Sequence, residues 1–282
     1  MESERPDFAA TGGPYRTGMK DGISHEERAV RHARYYDLDF LDVFYDAELY
    51  QQLAHDSGSP VLELGAGSGR IAVPLALAGY DVLAIDTDEA MLARGRERWR
   101  DFRGSVAAER LTFEQGDFFD LRPGPRFGLA LMAVNTFLLA EDDRARLAIL
   151  STMRESLRPG GVAAIEIGTP DAAELERFDG RLQHEWLRPD PETGEEVTKT
   201  ISAIHDAEDD SVVLTQIYEW TPPHGGPVSR LTHTDHIHLL SAAHLGNLAR
   251  EAGFGTVDLR GDHLSTPHGP GSHRVILVAR LV

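Results

Sequence analysis

The run Val61-Leu62-Glu63-Leu64-Gly65-Ala66-Gly67-Ser68-Gly69-Arg70 constrains this chain more than any other stretch of it. Its apolar start reads as a buried strand. Three alternate glycines then make a turn tight enough for the backbone to approach a ligand. A helix follows, whose first N–H groups lack partners within the helix and point toward whatever sits on the turn. The next apolar run, Val82-Leu83-Ala84-Ile85, ends on Asp86. A carboxylate at the tip of the neighbouring strand suits the two hydroxyls of a ribose. The unit predicts a parallel α/β sheet that holds an adenosine-containing cofactor. The glycine triplet alone is a weak signal; the strand, the helix and the spaced carboxylate make it strong.

Two residues bear on which cofactor. A nicotinamide fingerprint places a third glycine where this chain has Arg70, and an arginine there blocks close helix–strand packing. Glu63, just before the turn, sits badly beside a pyrophosphate. It suits a cationic ligand, and S-adenosylmethionine carries a sulfonium and an ammonium.

On these residues, Glu63-Leu64-Gly65-Ala66-Gly67-Ser68-Gly69 resembles motif I of the class I S-adenosylmethionine-dependent methyltransferases. Asp86-Thr87-Asp88 with Met91 resembles the second motif. There the resemblance implies that the acidic residue holds the ribose and the methionine packs on adenine. Gly116-Asp117-Phe118 resembles the third, with the aspartate at the adenine amino group and the next residue against the ring. Leu129 to Asn135 resembles strand four, whose end faces the methyl group. Leu157-Arg158-Pro159-Gly160-Gly161 resembles the turn before strand five. The resemblance covers roughly residues 30–168 and 241–282. It implies cofactor contacts from Glu63, Gly65, Ala66, Gly67, Gly69, Arg70, Asp86, Thr87, Met91, Asp117, Phe118 and Asn135. Asn135 has two further readings, as a partner of the acceptor and as a capping side chain for the following turn.

The fold expected is α/β: a Rossmann-like class I methyltransferase sheet with an antiparallel last strand, plus an inserted antiparallel β cap. Residues 1–58 read as an N-terminal arm and a helical lid; 59–169 and 241–282 as the cofactor-binding core; 170–240 as the cap. In the core, strands are expected at 60–64, 81–86, 110–115, 127–135 and 162–167. The helix after the turn is expected over 68–78, kinked by Pro74. The cap breaks the βα alternation with four strand-like runs separated by Pro/Gly/Asp-rich connections. It resembles the cap of glycine and aminosugar N-methyltransferase-like enzymes, which implies an acceptor pocket over the methyl group; a dimer surface is the other reading.

Net charge is −18, from 28 basic and 46 acidic residues. Such a surface repels phosphate backbones, so nucleic acid is not expected as a substrate. The chain has no cysteine, hence no disulfide framework and no thiolate metal site or nucleophile. No apolar run is long enough for a membrane span, and the N-terminus lacks a signal-peptide pattern. A cytoplasmic protein is expected, with a homodimer as one reading of its assembly.

Methyl transfer is an in-line displacement, so much of its catalysis is alignment and exclusion of water. A hydroxyl acceptor needs a general base; an amine must be neutral when it attacks. The densest set of candidate bases is Thr232-His233-Thr234-Asp235-His236-Ile237-His238. Strand alternation puts His236 and His238 on one face, and His233 with Asp235 on the other. Acceptor binding or base, metal ligand, and ordinary strand face are the three readings. We assign His236 and His238 to catalysis and no metal. In the expected lid, Tyr36 is the catalytic candidate beside Tyr35, because a tyrosine hydroxyl can orient an amine. His263, His268 and His273 lie in the closing hairpin region, and the sequence does not choose among them. The expected activity is methyl transfer from S-adenosylmethionine to a small molecule, at nitrogen, in specialised metabolism. The alternatives are an oxygen or peptide-nitrogen acceptor, and a cofactor-binding cyclase or regulatory protein.

Overall fold

The structure is a computed structural model that describes residues 24–41, 45–100, 102, 109–121, 124 and 126–282. Most of the expected arm, and Phe44 of the lid, lie outside them.

Two helices come first, α1 (His25–Asp39) and α2 (Tyr45–Ser57). The core then alternates: β1 (Val61–Leu64), α3 (Ala72–Leu77), β2 (Val82–Asp86), α4 (Glu89–Arg100), β3 (Leu111–Gln115), β4 (Phe127–Met132), α5 (Asp143–Ser156) and β5 (Leu157–Gly168). A short helix α6 (Ala172–Leu175) leads into β6 (Gln183–Pro189), β7 (Glu196–Asp206), β8 (Ser211–Thr221) and β9 (Ser229–His238). The chain closes with α7 (Ala242–Glu251), β10 (Thr256–Arg260) and β11 (Arg274–Arg280).

The main sheet has the order β10-β11-β5-β4-β1-β2-β3. Its first five strands in sequence run parallel, and β11 is antiparallel to β5. Side-chain alternation builds a core on each face. Leu62 and Leu64 face α5 and α7, against Ile149, Met153, Leu245 and Leu248. Val61 faces α2 and α3, against Leu53, Val73 and Leu75. The chain leaves β1 for β2 and β3 on one side, then crosses to β4 and β5 on the other. That reversal opens a crevice at the carboxyl ends of β1 and β4.

The helix after the glycine turn is shorter than expected. The turn continues to Ile71, so Pro74 falls in the first turn of α3. There its missing N–H breaks no hydrogen bond, and no kink is needed. β4 ends early because Val134 and Asn135 take left-handed φ values of 44° and 35°. β5 begins earlier than expected, at Leu157, with a register shift opposite Phe127–Leu129.

β6 to β9 form a separate antiparallel sheet in the order β6-β7-β8-β9. One face packs on α1: Tyr35 and Leu38 meet Val197, Tyr218, Trp220 and Leu231. Arg34 adds an ion pair to the fully buried Asp190 at 2.8 Å. The same helix reaches the core, where Asp37 pairs with Arg94 of α4. Helix α1 therefore ties the second sheet to the cofactor side of the first.

Candidate active site

Gly65, Gly67 and Gly69 all have left-handed φ, at 70°, 55° and 75°. Two of them show why glycine is needed. A side chain on Gly69 would stand 2.6 Å from the Phe113 ring, whereas at Gly67 the space is open. Gly67 is thus the position where the turn presents bare backbone. Its N–H donates to Asp86 Oδ2 at 2.7 Å, and Asp88 N–H donates to Oδ1 at 2.9 Å. These bonds hold the Asp86 carboxylate at the tip of β2. Each oxygen keeps a further lone pair, and burial raises its pKa.

Glu63 lies beneath the turn, 2% exposed. Burial pushes its carboxyl up to about 8, against the pull of Arg70, and its Oε2 has no hydrogen-bond partner. A buried, unsatisfied carboxyl of this kind is relieved by a cation, so the site fits the sulfonium and ammonium charges of S-adenosylmethionine. Met91 is buried in the first turn of α4. Thr87 accepts from Gln115 Nε2 through its carbonyl at 3.0 Å, and Asp117 caps the backbone of Phe119 at 2.9 Å. Phe118 packs on Phe119 with ring centroids 4.8 Å apart.

Ser68 and Arg70, side chains on the turn itself, engage the helices above. Ser68 Oγ donates to Asp37 of α1 at 2.6 Å. Arg70 pairs with Asp46 of α2, and its guanidinium lies 4.4 Å over the Phe40 ring. Its side chain is thereby engaged by Asp46 and Phe40 on the preceding helices. Tyr36 sits within electrostatic range of Arg70 and Glu63, and burial pushes its hydroxyl up to about 12. Tyr35 points the other way, into the second sheet.

On the far side of the turn is a cavity of about 200 Å³, between α2 and the ends of β4, β5 and β11. Its wall carries a connected polar cluster. Glu166 of β5, 4% exposed, accepts from Tyr50 Oη at 2.9 Å and from Arg274 Nη1 at 2.6 Å. His263 Nε2 lies 3.1 Å from it. Burial opposes ionisation of Glu166, but the His263, Tyr50 and Arg274 contacts outweigh it and hold the carboxyl below its ordinary range. Asn135 Oδ1 accepts from Gly168 N–H at 2.6 Å, which joins the ends of β4 and β5. Asn135 sits beyond β4, lines the cavity and makes no side-chain capping bond to the turn that follows it. A larger cavity, about 520 Å³, lies between α1 and the β6–β7 face and includes Asp39, Trp186 and Lys199. Phe40 borders both cavities.

The β9 histidines divide as alternation predicts, with an unexpected consequence. His233 is buried, 3.0 Å from Asp235, and stacks at 3.8 Å on His32 of α1. His236 is exposed and His238 half-buried, and neither lines the two cavities. Charged residues that line the small cavity and were not singled out are Asp46, Glu166 and Arg274; of the closing-hairpin histidines, His263 and His273 join them. Sequence reasoning carried one usable signal: Glu166 is a lone acid in an apolar strand.

The fold is that of the class I S-adenosylmethionine-dependent methyltransferases. Residues 61–161 match the family model described as a methyltransferase domain. CcbJ methyltransferase from Streptomyces caelestis superposes with a TM-score of 0.68, at 21% identity over 95% of this chain and 100% of that one. The sugar N-methyltransferase KedS8 from Streptoalloteichus superposes with a TM-score of 0.68, at 18% identity over 87% and 92%. In sequence, the chain is 35% identical to a cypemycin N-terminal methyltransferase of Streptomyces over 123 residues, 44% of this chain. The match spans 46% of that relative's length.

Proposed function

We propose that this protein transfers the methyl group of S-adenosylmethionine to an amine nitrogen of a small molecule in specialised metabolism. The observation that carries the reading is the small polar cavity opening at the ends of β4 and β5, beside the glycine turn. Bound in the crevice, the cofactor supplies an electrophilic methyl on a good leaving group. Asp86 holds the ribose, Met91 and Phe118 flank the adenine, Asp117 meets its amino group, and Glu63 balances the positive charge. The glycine turn, with Ala66 and Thr87, shapes the bed. The acceptor nitrogen uses its lone pair to form the new C–N bond. The pair of the broken C–S bond stays on sulfur, and the nitrogen's surplus proton leaves to solvent. Helix α1, with Tyr36, covers the site and keeps water out.

Nitrogen is favoured because the cavity wall includes two carboxylates, Asp46 and Glu166, and because relatives named for nitrogen methylation share sequence or fold with this chain. The test is mass spectrometry of products from a panel of matched amines and alcohols. Methylated amine with equimolar S-adenosylhomocysteine is the expected result; no turnover with any amine defeats the reading.

An oxygen acceptor has one specific observation behind it. His263 and Glu166, 3.1 Å apart in the cavity wall, have the arrangement of a base and its orienting carboxylate. A pH–rate profile that follows a histidine and is lost in His263→Ala, with alcohols as substrates, would favour it over nitrogen.

A further inference from the structure

Asp46 is the residue in the small cavity whose chemistry the surrounding protein leaves incomplete. It lies in the first turn of α2 and is 4% exposed. Its Oδ2 takes the Arg70 guanidinium. Its Oδ1 is equally buried and has no hydrogen-bond partner. The carboxylate across the cavity is in the opposite condition, since Glu166 is bonded to Tyr50, His263 and Arg274. A buried carboxylate oxygen left bare is costly, and the penalty is removed by a donor brought in from outside.

We infer that Asp46 is the anchor for the acceptor's nitrogen and that the substrate class is a primary or secondary amine, captured as its ammonium, which loses one proton to solvent before its lone pair attacks and keeps an N–H on Oδ1; this rests on the methyl-transfer reading above. The placement supports it. Asp46 borders the cavity with Asn135 and Gly168 at the strand ends, and through Arg70 it is fastened to the glycine turn. A donor held on Oδ1 therefore stands between the cofactor crevice and the cavity. About 200 Å³ admits an amine-bearing head. Phe40 stands at the border of this cavity and the wider one. A charge-assisted bond from an ammonium to a carboxylate is about twice as strong as one from a neutral hydroxyl, so the site selects for charge as well as for shape.

The test uses the full chain loaded with S-adenosylhomocysteine and two probes of nearly equal shape, cyclohexylammonium and cyclohexanol, titrated at neutral pH. The parent is expected to bind the ammonium about tenfold tighter or more. Asp46→Asn is expected to cut that preference to about twofold, while its own affinity for S-adenosylhomocysteine stays within about threefold of the parent. Asp46→Glu, which keeps the charge, should retain most of the preference. Equal binding of the two probes by the parent overturns the proposal, whatever the variants do. So does an unchanged preference in Asp46→Asn, or a loss of nucleoside affinity there as large as the loss of ammonium affinity, which would give Asp46 to the cofactor. An ammonium preference that depends on Asp46, in a protein that turns over no amine, would instead defeat the nitrogen-methylation reading and leave Asp46 as an ammonium-binding site alone.

Discussion

The two sides of the crevice are made in different ways. The β1–β2–β3 side is mostly backbone: a bare glycine turn, one carboxylate tied to a turn amide, and a methionine in a first helical turn. The β4–β5–β11 side is mostly side chain: a buried carboxylate, a tyrosine, a histidine and an arginine drawn from α2, β5 and the closing hairpin. A backbone bed suits a ligand that every member of a fold class shares, because it depends little on residue identity. A side-chain bed can change from one protein to the next without disturbing the fold. On the proposed function, the first side would take the cofactor and the second the particular acceptor.

The largest effect that separates the sides is expected from Asp86→Ala. Affinity for S-adenosylhomocysteine should fall about 100-fold or more, measured by calorimetry, with the thermal midpoint little changed. Glu166→Gln should do the reverse. It breaks a buried, multiply bonded carboxylate and should cost about 2–3 kcal/mol in unfolding free energy, with nucleoside affinity within about twofold of the parent. Equal loss of nucleoside affinity in both variants would erase the comparison.

A pH titration sharpens it. Glu63 has a folded-state pKa raised to about 8 from 4.5. The cofactor-free protein therefore keeps that group's stabilisation below about pH 4.5 and loses it as pH rises toward 8. A cationic ligand favours the ionised form, so affinity for S-adenosylmethionine should rise about tenfold from pH 6 to pH 8. Glu63→Gln should flatten the curve. The smallest effect is expected at the α1 contact with the second sheet. Burial, with help from His233, lowers His32 to about 3. A base with a depressed folded pKa stabilises above its unfolded value near 6.5 and loses that stabilisation on acidification. Unfolding free energy should drop by about 1 kcal/mol between pH 7 and pH 5.5, and His32→Phe should drop less.

The same asymmetry explains what the sequence shows. The glycine turn and Asp86 are legible because each sits at a fixed offset from a strand end, where local geometry fixes its place; Met91 and Asp117 are legible only through their resemblance to the family's later motifs. The antiparallel second sheet is legible from alternation and turn residues. Glu166 is legible only as a lone acid in an apolar strand; its partners Tyr50 and Arg274 are not, because only tertiary packing brings them to it. His236 and His238 attract attention as a dense local cluster, yet strand alternation turns them away from the face that packs on α1. Arg70 is legible as a departure from the nicotinamide pattern, but its partners Asp46 and Phe40 lie on the preceding helices.

The most direct measurement is a crystal structure of the protein with S-adenosylhomocysteine. The account predicts ribose hydroxyls on Asp86 and a sulfur that faces the Asp46–Glu166 cavity. A nucleoside seated in that cavity, or a crevice at β1 and β2 that stays empty at saturating ligand, would contradict it.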